Sequence, residues 1–318
     1  MITPFILLTN NKIQNYIIKQ LTEYLEETTG ANIEIEHVSI KFFNKINLQS
    51  VYAEDLNHQK IISIDDINAE INLTSLLKGD VHIKNITANN LDANLYTDSL
   101  GTLNIQFLID ALTPKEKLQT PNLIFPLITL NNASFKYTNN SAPTKNLKQW
   151  QFNADDIDVD SLFTQIQFSL TNQSNLDAKV NYLNFKEKSG FKLAHFSTDV
   201  ELTDSSFIIP SANINLTNTK LVTDSIVILL TRNNEDKVNW AKTQFNFNIS
   251  EANINLSDLK HFVPELERLK KQASISAKID GTLDNFKATN LKATYGNTLS
   301  ISADIEALGL PNIKNTYF

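Results

Sequence analysis

The chain has 318 residues, 42% of them hydrophobic and 20% charged, a composition that fits a folded protein and argues against disorder. Its net charge of -7, pI near 5.3 and lack of any long basic run argue against nucleic acid as a partner, since phosphate neutralisation needs clustered Lys and Arg. The absence of Cys excludes disulfides, thiolate metal sites and Cys nucleophiles, and with 7 Gly a phosphate-cradling loop is nearly excluded.

The N-terminal MITPFILLTNN is far shorter than the ~20 apolar residues that span a bilayer and lacks the basic start of a signal peptide. It reads either as a buried N-terminal segment or as the tail of a membrane helix. Ile13, Ile17, Leu21, Tyr24 and Leu25 then recur at helical spacing, predicting an amphipathic helix that ends at Gly30; segment 1–30 forms one organisational unit. Shorter helices are predicted over Leu73–Lys78 and Asn104–Leu112. A further one runs from Ser257 as N-cap through Leu259, Phe262, Leu266 and Leu269 to Lys271, bent or split by Pro264.

Nearly everything else has period two. Examples are Ile33/Ile35, Val38/Ile40/Phe42, Ile67/Ala69/Ile71, Ile128/Leu130, Phe245/Phe247/Ile249, Ile275/Ala277/Ile279 and Leu299/Ile301/Ala303/Ile305. Strands of this kind have one dry and one wet face, so the fold class is mainly β with a few helices, built on a meandering antiparallel sheet. The predicted units are 31–112 and 113–318, the latter with the helical insertion near 257–271.

The alternation slips at irregular intervals. An apolar pair three residues apart occurs at Ile35–Val38, Leu48–Val51, Ile64–Ile67, Ile83–Ile86, Ala88–Leu91, Leu130–Ala133, Ala154–Ile157, Ile209–Ala212, Ile249–Ala252 and Ala288–Leu291. A tight hairpin or a β-bulge keeps both flanking residues on one face across such a step. Asn89-Asn90, Asn131-Asn132, Asp65-Asp66 and Asp155-Asp156 suit turns, whereas Glu36-His37, Gln49-Ser50 and Ser250-Glu251 suit bulges. Either geometry preserves a continuous apolar face.

Chemistry-bearing motifs are scarce. His37, His58, His82, His195 and His261 show no metal-ligand spacing. Asp156, Asp158 and Asp160 alternate like calcium ligands, but Ser161 and Gln167 stand where a calcium loop needs Gly and Glu, so they read as the wet face of a strand. No nucleophile elbow, zinc-protease helix or phosphate loop is present, and no catalytic residue, metal or cofactor is expected.

LTSLLKGDVHIKNITANNLDANLY (73–96) resembles the short helix and strand pair of the AsmA-like superfamily. The tail IDGTLDNFKATNLKATYGNTLSISADIEALGLPNIKNTYF is similar to its TamB branch, with a GTLDNF-type strand, an NLKATYGN-type strand and a GLP-x-I turn. The opening NNKIQNYIIKQLTEYLEETTGANIEIEHVSIKFFNKINLQSVYAEDLN resembles the post-anchor helix and first strands of such proteins. The resemblance implies an inner-membrane anchor, a periplasmic sheet curled into an open taco-like groove with an apolar floor, and phospholipid as cargo. It also implies a C-terminal region meeting an outer-membrane barrel of the BamA type, so the chain reads as an N-terminal fragment of a longer, non-enzymatic protein. The expected lipid-binding residues are Ile83, Ile86, Ala88, Leu91, Leu95, Ile128, Leu130, Phe135, Ile214, Leu216, Phe247, Ile249, Ile254, Leu291 and Tyr295. Periodicity alone favours a filled core, covered by a second sheet or by the helices, and only the resemblance points to an open groove. Strand addition to nascent outer-membrane proteins, by a chaperone or scaffold, is the alternative function.

Overall fold

The computed structural model describes residues 30–308 except 42–43, 72–82, 113–122, 172–174, 234–237, 241 and 283, together with seven positions between 16 and 29. The predicted N-terminal helix lies mostly outside the described residues, as do Leu73–Lys78, His82 and the tail after 308. Gly30 is described: at φ 72° it donates its N–H to the Glu26 carbonyl at 2.7 Å, the left-handed cap expected there.

The chain divides into two compact units. The first comprises residues 1–118, 125–166 and 185–190, the second 119–124, 167–184 and 191–318. The first holds β1 (Ile33–Lys41), β2 (Lys45–Glu54), β3 (Lys60–Ile71), β4 (Ile83–Thr97), the helix α1 (Gln106–Leu112) and nearly all of β5 (Leu123–Asn139). Two strands, β6 (Asp156–Thr171) and β7 (Asn175–Glu187), have residues in both units. The second holds β8 (Lys192–Leu202), β9 (Ser206–Ile209), β10 (Ala212–Asn215), β11 (Lys220–Leu229), β12 (Gln244–Asn255), β13 (Gln272–Gly281), β14 (Asn285–Tyr295) and β15 (Leu299–Leu308).

In the first unit β1 to β4 pair antiparallel in sequence order, but β4 and β5 are parallel, with Ile86 opposite Ile128 and Ala88 opposite Leu130. The purely antiparallel expectation is corrected here: a parallel pair needs a long crossover, and α1 lies in the chain between the two strands. The β2–β3 connection is built by Asp55, whose carboxylate accepts from the Asn57 and Gln59 backbone N–H groups at 2.8 and 2.9 Å, with His58 at φ 58°. In the second unit β10 pairs β8 and β11, β9 also pairs β8 and β11, and β11 to β15 pair antiparallel in order.

The slips resolve differently in the two units. Asp65-Asp66, Asn89-Asn90 and Asn131-Asn132 make no turns; all lie inside strands, as do Glu36-His37 and Gln49-Ser50. Across β1 to β4 the register does not change over the step: Ile35 faces Val51 and His37 faces Gln49, Val51 faces Ile64 and Gln49 faces Asp66, Ile64 faces Leu91 and Asp66 faces Asn89. The parallel offset from β4 to β5 is likewise the same on both sides. Each strand carries its extra residue at the same level, so the steps stack into one bend running across the sheet rather than a set of separate bulges. In the second unit the extra residue is carried by β12 at Ile249–Ala252 and by β14 at Ala288–Leu291, against shorter partners, and the registers shift there as β-bulges do. Ile209–Ala212 spans the β9–β10 connection.

The predicted helix over Ser257–Lys271 is replaced by two short 3₁₀ turns, Leu256–Leu259 and Pro264–Arg268. Pro264 occupies the first turn of the second one, where its missing N–H costs no bond, and Asn255 rather than Ser257 caps the first, accepting from the Ser257 N–H.

Candidate apolar binding face

In the first unit, strand pairing turns the alternation into rows. Val38, Leu48, Ile67, Ala88 and Leu130 form one row along the lower side of the bend, and Ile35, Val51, Ile64 and Leu91 form the row above it. Ile83, Ile86, Ala88, Leu91 and Leu95 therefore share a face of β4, joined from β5 by Ile128, Leu130 and Phe135. Ile83 pairs with Ile71 across a register shift and is 40% exposed.

In the second unit Ile214 lies between Phe196 and Leu221, and Phe247 between Ile226 and Ile279. Ile249 faces Ala277, Ile254 faces Ala273, and Leu291 faces Ala303. Tyr295 lies between Ala273 and Leu299, while Leu216 follows β10 in the turn closed by its N–H to the Thr219 carbonyl. The Phe245 and Phe247 rings, two residues apart on one face, stack at 5.1 Å and 10°. Phe196, Leu221 and Ile226 share these rows with the expected residues, and only the pairing partners, which periodicity does not supply, identify them; Ile64 and Ile67, marked by the three-residue step, join them.

The burial pattern sets this face apart from an ordinary core. Buried residues flank several of the steps, Ile35, Val38, Ile64, Ala88 and Ala133 in the first unit and Ala212, Ala252 and Ala288 in the second, while Ile61 and Leu193 are buried away from them. The larger apolar residues of the face, Leu91, Leu95, Ile128, Leu130, Phe135, Ile214, Phe247, Ile249, Ile254, Leu291 and Tyr295, are only half-buried, those beside the steps included. Among the described residues no large side chain is less than 2% exposed. A filled sandwich of comparable size would bury several such side chains completely.

The opposite face of the first unit is knit by amides and carboxylates at the level of the bend. Asn131 donates to Asn89 at 2.8 Å, Asn89 to Asp66 at 3.0 Å, and the buried Asn47 to Asp66 and to Asn68. A parallel rung runs from Asn132 to Asn90 at 2.7 Å and on to Asp65 at 3.0 Å. A third joins Ser134 to Asp92, which also pairs with Lys60; the ammonium, then burial in opposition, then Ser134 set a net lowering of the Asp92 carboxyl below its ordinary value. Nearer the strand ends the Tyr96 hydroxyl donates to the buried Asp55 at 2.5 Å, and this bond raises the phenol's affinity for its proton. In the second unit a cavity of about 330 Å³ is lined by polar residues, among them Lys179, Thr198 and Asp199, together with Val180, Ala212 and Val222.

Asp156 pairs with Lys188, and among the described residues no group of three His, Asp or Glu could hold a metal. No helix among them is long and apolar enough to cross a membrane. Comparison with family models, curated proteins and solved structures finds no match to this chain.

Proposed function

We propose that the chain is a lipid-handling protein of the periplasm, in which the strands of each unit curl so that their apolar face lines an open groove sheltering phospholipid acyl chains. The observation that carries this reading is the partial exposure of most of the larger side chains in the registered Ile, Leu, Val and Phe rows, none of which is less than 2% exposed. Such a surface left in water is costly, and acyl chains are a cover that matches it without specific hydrogen bonds. Each methylene sheltered contributes about 0.8 kcal/mol, and a phospholipid with ~30 methylenes faces a barrier of order 20 kcal/mol when it crosses water unaided. The chemistry needs no catalytic group. On this reading the chain works as part of a TamB-like protein of the AsmA-like superfamily, anchored in the inner membrane and meeting a BamA-type barrel at the outer one.

Native mass spectrometry of detergent-free protein tests the reading: co-purified phospholipid is expected. Leu130→Asp and Phe247→Asp should each remove most of it while circular dichroism remains that of the parent. Unfolding of both variants would instead make these positions closed core.

A second reading, strand addition to outer-membrane barrel segments, is favoured by β15. It pairs only with β14 among the described strands, and Leu299 and Ile301 on it are 52% and 43% exposed.

A further inference from the structure

The connection between β12 and β13 is long for antiparallel neighbours, and it carries exposed apolar residues among cations. We infer that residues 256–271 form a docking element for an anionic lipid surface, independent of the acyl-sheltering faces.

The base of this element is fixed. The Asp258 carboxylate accepts from the Asn218 backbone N–H at 2.7 Å and from its amide at 3.2 Å. His261 is 9% exposed and meets the Phe191 ring edge-on at 6.1 Å. Phe262 leans on the same ring at 4.9 Å, yet it remains 48% exposed, with Val263 at 44% and Leu269 at 37%. A connection so firmly rooted could have buried these side chains and does not.

The charges around them run against those of the chain. Segment 260–271, KHFVPELERLKK, has four cations, Lys260, Arg268, Lys270 and Lys271, against Glu265 and Glu267, in a protein of net charge -7. Among the described residues none of the four cations makes an ion pair. Lys271 lies with its ammonium 6.0 Å over the Tyr295 ring.

Exposed Phe, Val and Leu interleaved with unpaired Lys and Arg match the headgroup boundary of an anionic bilayer. There the apolar groups reach the acyl layer while the cations remain among phosphates. Charge complementarity selects this partner: a chain of net negative charge meets a negative membrane most favourably through a local cationic patch.

The full chain is sedimented with vesicles of phosphatidylglycerol and phosphatidylcholine, and with phosphatidylcholine alone. Binding to the mixed vesicles is expected, weakened about fivefold by each of Lys270→Gln and Lys271→Gln and abolished by Val263→Asp. These positions are exposed, so circular dichroism should not change. The inference is overturned if mixed vesicles do not bind, if neutral vesicles bind equally well, or if the variants bind like the parent. Co-purified phospholipid should be unchanged in Val263→Asp. Its absence from the parent, with vesicle binding intact, would sink acyl sheltering alone.

Discussion

Ser50, Asn90, Asn132, Ser161 and Asn290 all hold φ at 52–53°, and each occupies the second position inside a step between apolar neighbours. Left-handed backbone costs an ordinary residue about 1–2 kcal/mol, and Asn tolerates it better than most because its amide bonds locally. Asn90 also donates to Asp65 and accepts from Asn132, so Asn90→Ala should destabilise the protein by about 1–2 kcal/mol in urea denaturation. Ser50→Gly removes the conformational penalty and should stabilise by about 0.5–1 kcal/mol in the same measurement. The Lys60–Asp92 pair has a pH signature. Because the Asp92 carboxyl is lowered from 3.8 in the folded state, its contribution is present above about pH 4 and is lost as pH falls through the lowered value. Asp92→Asn should therefore flatten the acid limb of the stability profile and leave the profile near neutrality parallel to the parent's.

At the scale of the element, Gly281 closes the β13–β14 connection at φ 138°, where an added Cβ would lie 2.2 Å from the Asn285 carbonyl oxygen. Gly281→Ala should cost upwards of about 2 kcal/mol, read as a fall in melting temperature, because backbone has no room to give. At the bends the buried methyls are equally constrained: Ala88 and Ala252 are 4% and 2% exposed, and replacing either with Leu should cost about 1–3 kcal/mol by overpacking. The strands themselves were legible from alternation, and the slips from three-residue spacing. The local geometry of each slip was not. Asp155-Asp156 does stand at a turn, which the Asp156 N–H closes onto the Asn153 carbonyl, but Asp65-Asp66, Asn89-Asn90 and Asn131-Asn132 lie within strands whose neighbours carry the same extra residue. That cooperation is set by pairing across the sheet, beyond the reach of a local pattern. The helix read across 257–271 failed for a related reason: its apolar spacing is helical, but Pro264 and the Asn255 cap break it into two 3₁₀ turns.

Among the described residues of each unit, apolar side chains alternate along the strands with amides and carboxylates, and most of the larger apolar ones are partly exposed. Part of the candidate site was readable in advance, because the side of a strand follows from parity alone. Its neighbours were not, because Phe196 and Leu221 come beside Ile214 only through the β8–β10–β11 pairing. Openness is a property of what covers a face, and no periodicity carries that information. It has a solution consequence: the lipid-free protein should bind a polarity-sensitive dye such as ANS in its native state, and added phospholipid should displace the dye. A face sealed by its own side chains would give no native-state signal.

The shared register of the bend in β1 to β5 constrains how this protein can change length. Removing Asn90 alone would flip one arm of β4 and put Leu91, Ala93 and Leu95 among the amides while its neighbours stayed in place. Insertions and deletions are therefore tolerable in the hairpin connections but not at the crease. There the strands of the first unit can gain or lose a residue only if every adjoining strand does the same.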